Sequence, residues 1–131
     1  MKTLIVEDEF TSRLILQELL SAYGPVHIAV NGQEAGEAVR TAIETKQHYN
    51  LICMDIMMPG MDGQQALKEI RAFEESKGIS PTRGAKIIMT SAKDDMRNKI
   101  NAFSGLCDDY LTKPIDKQKL LDEIRTLKLI V

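Results

Sequence analysis

The chain is 131 residues long, 44% apolar and 27% charged, with a formal net charge of −2 at pH 7. That length suits one domain with a sizeable core, so residues 1–131 are read as a single unit, and no basic block is dense enough to follow a phosphate backbone, which argues against direct nucleic-acid binding. Acid at Glu7 and Asp8 comes too early for a signal-peptide apolar region, and no apolar stretch nears the roughly 20 residues that span a bilayer. Cys53 and Cys107 have no ligand-like spacing and read as reduced thiols of a cytoplasmic protein.

Along the chain, short apolar runs alternate with helical periodicity. Residues 2–6 predict a strand, and 10–23 a helix with Leu14, Leu16, Leu19 and Leu20 as its apolar stripe, stopped by Gly24-Pro25. A second strand is expected over 26–30. Asn31 with Glu34 forms a capping-box pattern that opens a helix to about 45. The third strand, 51–54, is continuously apolar, as a strand covered on both faces should be. Asp62 with Gln65 opens a third helix through Ala66, Leu67, Ile70 and Phe73, followed by a polar, turn-rich loop over 78–84. A strand over 85–90, a helix over 94–103, a strand over 106–111 and a helix over 116–127 complete five βα units. Such alternation implies an α/β fold with a parallel sheet and helices on both faces.

Four of the apolar runs end on groups suited to phosphoryl chemistry: Glu7 and Asp8, then Asp55, then Ser91, then Lys113. In a parallel sheet they gather at the carboxyl edge, where open α/β sheets bind ligands. A carboxylate at the end of a buried strand is costly unless paired, and three close carboxylates raise one another's pKa. A hard cation among the oxygens resolves that conflict. Magnesium suits, with manganese as its substitute, because it takes one or two carboxylates and completes its shell with water and phosphate oxygens. A carboxylate nucleophile, a metal, the Lys113 ammonium and the Ser91 hydroxyl can together accept a phosphoryl group.

The motifs Val6-Glu7-Asp8-Glu9, Met54-Asp55-Ile56-Met57-Met58-Pro59-Gly60-Met61-Asp62-Gly63, Thr90-Ser91-Ala92 and Tyr110-Leu111-Thr112-Lys113-Pro114 resemble those of response regulator receiver domains of two-component signalling. The resemblance covers essentially the whole chain. It implies a flavodoxin-like (βα)5 fold of strand order 2-1-3-4-5 and a cis bond before Pro114. It implies that Asp55 accepts a phosphoryl group from a phosphohistidine on a sensor histidine kinase or a histidine phosphotransfer protein. Glu7, Asp8, Asp55 and the backbone carbonyl of Met57 would hold magnesium, Lys113 would contact the phosphate, and Ser91 would move inward to hydrogen-bond it. Tyr110 would then turn inward and reshape the helix 4–strand 5–helix 5 surface, helix 4 being 94–103, where a downstream protein target binds. By the same resemblance Met57 and Lys93 flank the path of an attacking water and tune dephosphorylation. Met57 cannot orient a water and charged Lys93 is no base, so slow loss of the phosphoryl group is expected. The expected protein is a regulator with magnesium-dependent self-phosphorylation and autodephosphorylation, not a turnover enzyme. It departs from the family pattern in two places. Glu7 stands where members often have Asp, and the Asp55–Ser91 interval is lengthened by the 78–84 loop, an insertion of low cost.

Taken singly, the same residues have plainer readings. Glu7 and Asp8 suit a helix start, Ser91 an N-cap, Lys113-Pro114 a strand end and Tyr110 a half-buried strand position. Met54, Met57, Met58 and Met61 read as core and loop filling, His27 and His48 as surface or satisfied histidines, and Lys93, Arg97 and Lys99 as a solvated face. Three functional alternatives remain: a phosphorelay intermediate, a metal-dependent phosphohydrolase and a flavodoxin-like electron carrier. The hydrolase wants a second acid where Met57 stands, and the carrier wants a phosphate loop where Glu7-Asp8-Glu9 stands. The apolar 127–131 tail leaves open a longer regulator whose effector domain has been removed, and both a monomer and a phosphorylation-dependent dimer are compatible.

Overall fold

A computed structural model of the chain describes residues 1–58, 60–80, 82–92 and 106–131. Lys93 and the helix expected over 94–103 lie outside the described residues. The strands are β1 (Thr3–Val6), β2 (Val26–Ala29), β3 (Leu51–Asp55), β4 (Lys86–Ser91) and β5 (Asp109–Thr112). The described helices are α1 (Phe10–Leu20), α2 (Gly32–Glu44), α3 (Gly63–Ser76) and α4 (Lys117–Thr126), the last being helix 5 of the sequence reading.

Local chemistry sets the helix starts. Asn31 Oδ1 accepts from the Glu34 amide at 2.8 Å, the expected cap of α2, while Glu34 Oε1 reaches one residue beyond the cap, accepting from the Val30 amide at 3.0 Å. Asp62 accepts from the Gln65 amide at 2.9 Å to open α3, and Asp116 from the Lys119 amide at 2.9 Å to open α4.

All strand pairs are parallel, and the order is β2-β1-β3-β4-β5, as the resemblance implies. The chain leaves β1 for β2 on one side and later adds β3 on the other, so the order reverses beside β1 and β3, the place where such sheets bind ligands. Alternate residues of the central strands feed two cores. Leu4, Val6, Ile52, Met54, Ile87 and Met89 pack with Ala35, Val39, Leu67 and Ile70 of α2 and α3. Ile5, Leu51, Cys53 and Ile88 pack with Leu16 and Leu20 of α1 and Leu120 and Ile124 of α4. β3 is buried along its whole length, and each large apolar side chain so buried contributes roughly 1.5–3 kcal/mol. Leu127, Leu129 and Ile130 also pack onto the second core.

The structure corrects several boundaries. The first helix ends as α-helix at Leu20 and continues as a 3₁₀ turn over Ser21–Tyr23, and its expected stripe residue Leu14 is 41% exposed. β5 begins at Asp109, not 106, because Asp108 is used otherwise. Its carboxylate accepts from the Ile87 amide at 2.8 Å and pairs with Arg71 at 3.0 Å. Arg71 also donates to the carbonyls of Leu106 and Ala85 and to Glu74, each at 2.8 Å. Glu74, buried, completes the brace by accepting from the Ala85 amide at 2.9 Å. This network fixes the start of β4 and the approach to β5 against α3. Of the four methionines near Asp55, Met54 and Met58 are buried and Met61 packs on the first core, but Met57 is 51% exposed and fills no core.

Candidate functional site

Because β1, β3, β4 and β5 are consecutive neighbours, their carboxyl ends bring the predicted groups to one edge. Asp55 is the last residue of β3, and Glu7 and Asp8 follow β1 directly. One carboxylate oxygen from each of the three lies within 4.8 Å of the others. Glu7 and Asp55 are buried and Asp8 is exposed. Lys113, just past β5, sets its ammonium between the two buried acids, 2.5 Å from Glu7 Oε1 and 3.3 Å from Asp55 Oδ2. The peptide bond from Lys113 to Pro114 is cis.

Backbone contacts hold this edge in register beyond the strands. Asp55 pairs with Thr90, and the next amide, of Ile56, donates to the Thr90 carbonyl at 2.9 Å. The Lys113 amide donates to the Ser91 carbonyl at 2.7 Å. Asp55 Oδ1 also accepts from the Met57 amide at 3.2 Å. Ser91 is therefore bonded through its backbone, while its buried hydroxyl has no hydrogen-bond partner among the described residues. Tyr110 stands outward on β5, 45% exposed, and pairs in register with Met89.

The electrostatics follow from crowding. Burial raises the pKa of Glu7 from the ordinary 4.5 to about 7; the hydrogen bond of its acid form to Asp55 adds to the rise and Lys113 opposes it. Burial by itself would lower the pKa of Lys113, but the Glu7 hydrogen bond and the charges of Asp55 and Glu7 leave it raised. Glu7 Oε2 is buried without a hydrogen-bond partner among the described residues. A proton shared with Asp55 or a cation would satisfy it. The donor set of three carboxylates with an orphaned oxygen therefore fits a hard divalent ion.

Three contributors were not read from the sequence. Glu9 caps α1, accepting from the amides of Ser12 at 2.6 Å and Thr11 at 3.1 Å, and the Ser12 bonds foremost hold its pKa down at about 2. Arg13 donates to the Glu7 carbonyl at 3.3 Å. Gly63 passes so close to Asp55 that a Cβ there would meet the Asp55 carbonyl oxygen at 2.2 Å. A glycine in the first turn right after the Asp62 cap was the available sign of that approach. Of the remaining predicted residues, Met57 lies beside Asp55 on the loop after β3, and Lys93 is outside the described residues. His27 is satisfied, its Nδ1 lying 2.7 Å from the Tyr49 hydroxyl.

Comparison with known proteins agrees with this arrangement. Residues 3–125 match the response regulator receiver domain. The chain is 35% identical over 119 residues to Sensor protein GacS of Pseudomonas syringae pv. syringae, covering 91% of this chain and 12% of that protein. Among solved structures, a Saccharomyces cerevisiae co-crystal of the histidine phosphotransfer signalling protein Ypd1 with the receiver domain of its downstream response regulator Ssk1 aligns with a TM-score of 0.78. Identity there is 30%, over 100% of this chain and 92% of that one. The receiver domain of sensor histidine kinase PA1611 from Pseudomonas aeruginosa PAO1, with magnesium coordinated in its active-site cleft, aligns with a TM-score of 0.75, 26% identity and 97% coverage of both chains. The chain spans well under half the length of GacS and just under half of the transcriptional regulators it also matches. The chain belongs to the response regulator receiver domains, the phospho-accepting modules of two-component signal transduction.

Proposed function

We propose that Asp55 is the phospho-acceptor, and the observation that carries this is the Lys113 ammonium held between Glu7 and Asp55 inside a cluster of three carboxylates. An Asp55 carboxylate oxygen attacks the phosphorus of a phosphohistidine whose other ring nitrogen is protonated, the P–N bond breaks with its electron pair returning to the ring, and neutral imidazole leaves, producing an acyl phosphate. Lys113 neutralises negative charge on the incoming group. Glu7, Asp8, Asp55 and the Met57 carbonyl are the residues that would hold magnesium, or manganese in its place; when bound, the ion supplies further neutralisation of phosphoryl charge. The buried Ser91 hydroxyl, unpartnered among the described residues, is suited to donate to a phosphoryl oxygen.

The added charge, about −1.5 to −2, biases Ser91 and the outward Tyr110 toward an inward arrangement. The resulting change is read by a downstream protein on the surface of β5 and α4; the 94–103 part of the expected surface lies outside the described residues. The phosphoryl donor is a histidine kinase or a histidine phosphotransfer protein. Phe10 at 65% exposure and Met57 at 51%, on the loops or helix start flanking the acceptor, offer it an apolar landing surface. The likeness to the receiver domain of the sensor histidine kinase PA1611 favours a second reading, in which the protein is a relay intermediate that hands the phosphoryl group to another histidine.

Intact-mass measurement after incubation with acetyl phosphate and magnesium tests the acceptor. One added phosphoryl group in the native chain and none in Asp55→Asn is expected; an adduct surviving in Asp55→Asn refutes it. Mixing the phosphorylated protein with a histidine phosphotransfer domain separates relay from terminal output, since only a relay loses its label to the partner.

A further inference from the structure

The long loop between α3 and β4 encloses space instead of filling it. A cavity of about 530 Å³ lies at the amino-terminal ends of β3 and β4, the opposite end of the sheet from Asp55. Ile43 of α2 and Ile79 of the loop form its accessible apolar wall, backed by the buried Val39 and Ile52. A second hollow of about 450 Å³ shares Glu74, Gly78 and Ile79 and opens toward Leu106, so the loop stands off the helix on more than one flank. The volume falls within the range of roughly 300–1,000 Å³ typical of small-ligand pockets.

The charges around the first cavity do not balance. Two cations, Lys77 and Arg83, line it with the His48 ring, against the single carboxylate of Glu74. Glu74 is already committed, one oxygen to Arg71 at 2.8 Å and the other to the Ala85 amide at 2.9 Å. Among the described residues, neither the Arg83 guanidinium nor the His48 ring has a hydrogen-bond or ion-pair partner, and Lys77 lies 5.6 Å from the Phe73 ring centroid. An apolar wall under an uncompensated basic rim is complementary to an anion with an apolar body. Gly84 keeps the wall in place, because a Cβ there would meet the Glu74 carboxylate at 2.5 Å.

We propose that this cavity binds a small organic anion, its ring or branched body against Ile43 and Ile79 and its carboxylate or sulfonate head at Arg83. The site is separate from the phosphoryl-acceptor edge and does not depend on that assignment. The probe is 8-anilinonaphthalene-1-sulfonate, with the neutral N-phenyl-1-naphthylamine as its uncharged counterpart, titrated into the full chain by fluorescence and followed by amide NMR. Saturable one-site binding is expected, with shift changes centred on residues 77–79 and 83–85 and none at 55–57. Arg83→Glu should weaken the sulfonate about tenfold, the loss of one charge-assisted contact, and alter the neutral probe less than twofold. Lys77→Glu is the second variant, expected to weaken the sulfonate likewise, and an unchanged urea-unfolding midpoint and amide dispersion report that both fold. Absence of saturable binding, shifts centred on Phe10 and Leu14, or equal losses for both probes in Arg83→Glu would overturn the proposal.

Discussion

Glu7 makes metal binding a function of pH. Its pKa, raised to about 7 by burial and by the acid hydrogen bond to Asp55, means that the metal-free site holds a proton through the mildly acidic range. An ion displaces that proton, so apparent affinity follows the deprotonated fraction of Glu7, roughly 10% at pH 6 and 90% at pH 8. Magnesium should thus bind about tenfold more weakly at pH 6 than at pH 8, with about half a proton released per ion near pH 7. Stability shifts in the opposite sense. Between 4.5 and about 7 the folded chain keeps a proton that the unfolded chain has released, so this contribution is present below that window and lost as pH rises through it. The metal-free Tm should fall across the window, and the rise in Tm caused by magnesium should grow with pH. Calorimetric titrations at pH 6, 7 and 8 in buffers of different ionisation enthalpy measure both affinity and proton release. In Glu7→Gln the steep dependence should vanish. A flat profile in the native chain, or an equally steep one in Glu7→Gln, refutes the reasoning.

Three further outcomes are expected. Gly63→Ala places a Cβ against the Asp55 carbonyl and the Ile56 backbone, neither of which yields easily; urea unfolding should show a loss of about 2–3 kcal/mol, and magnesium affinity should drop as the loop shifts. Arg71→Ala strands the buried Glu74 carboxylate and should cost about 3–5 kcal/mol by the same assay, with Arg71→Lys recovering little because one ammonium cannot span the acceptors the guanidinium reaches. Met57→Asn puts an amide beside the acceptor and should speed decay of the acyl phosphate; an unchanged decay rate counts against a water-orienting role for that position.

The parts of the fold legible in the sequence were those written locally. The Asn31–Glu34 and Asp62–Gln65 pairs act over three residues, so their patterns named the starts of α2 and α3 before any tertiary contact was known. Glu9 escaped notice because glutamate is a poor N-cap by type, and only its two amide bonds reveal the role. Arg71 and Asp108 are 37 positions apart, and nothing in hydrophobic periodicity marks such a pair. That same interaction is why the apolar Leu106 and Cys107 misled the boundary of β5. At the site, the polar ends of apolar runs were readable as a set because parallel strands convert sequence position into a shared edge. The contact of Lys113 with Glu7, spanning 106 positions, was not readable, nor was the resulting rise in the Glu7 pKa.

The amide of Ile56 on the Thr90 carbonyl and the amide of Lys113 on the Ser91 carbonyl tie three strand tips into one piece at the very edge where charge arrives. Sliding any tip alone would break a backbone hydrogen bond, and leaving a buried donor or acceptor unpaired costs about 1–3 kcal/mol. Mechanically, then, the sheet edge behaves as an anvil. On the proposed function, such an edge would hold its position on phosphorylation, and the change would be carried by side-chain rotation of Ser91 on β4 and Tyr110 on β5.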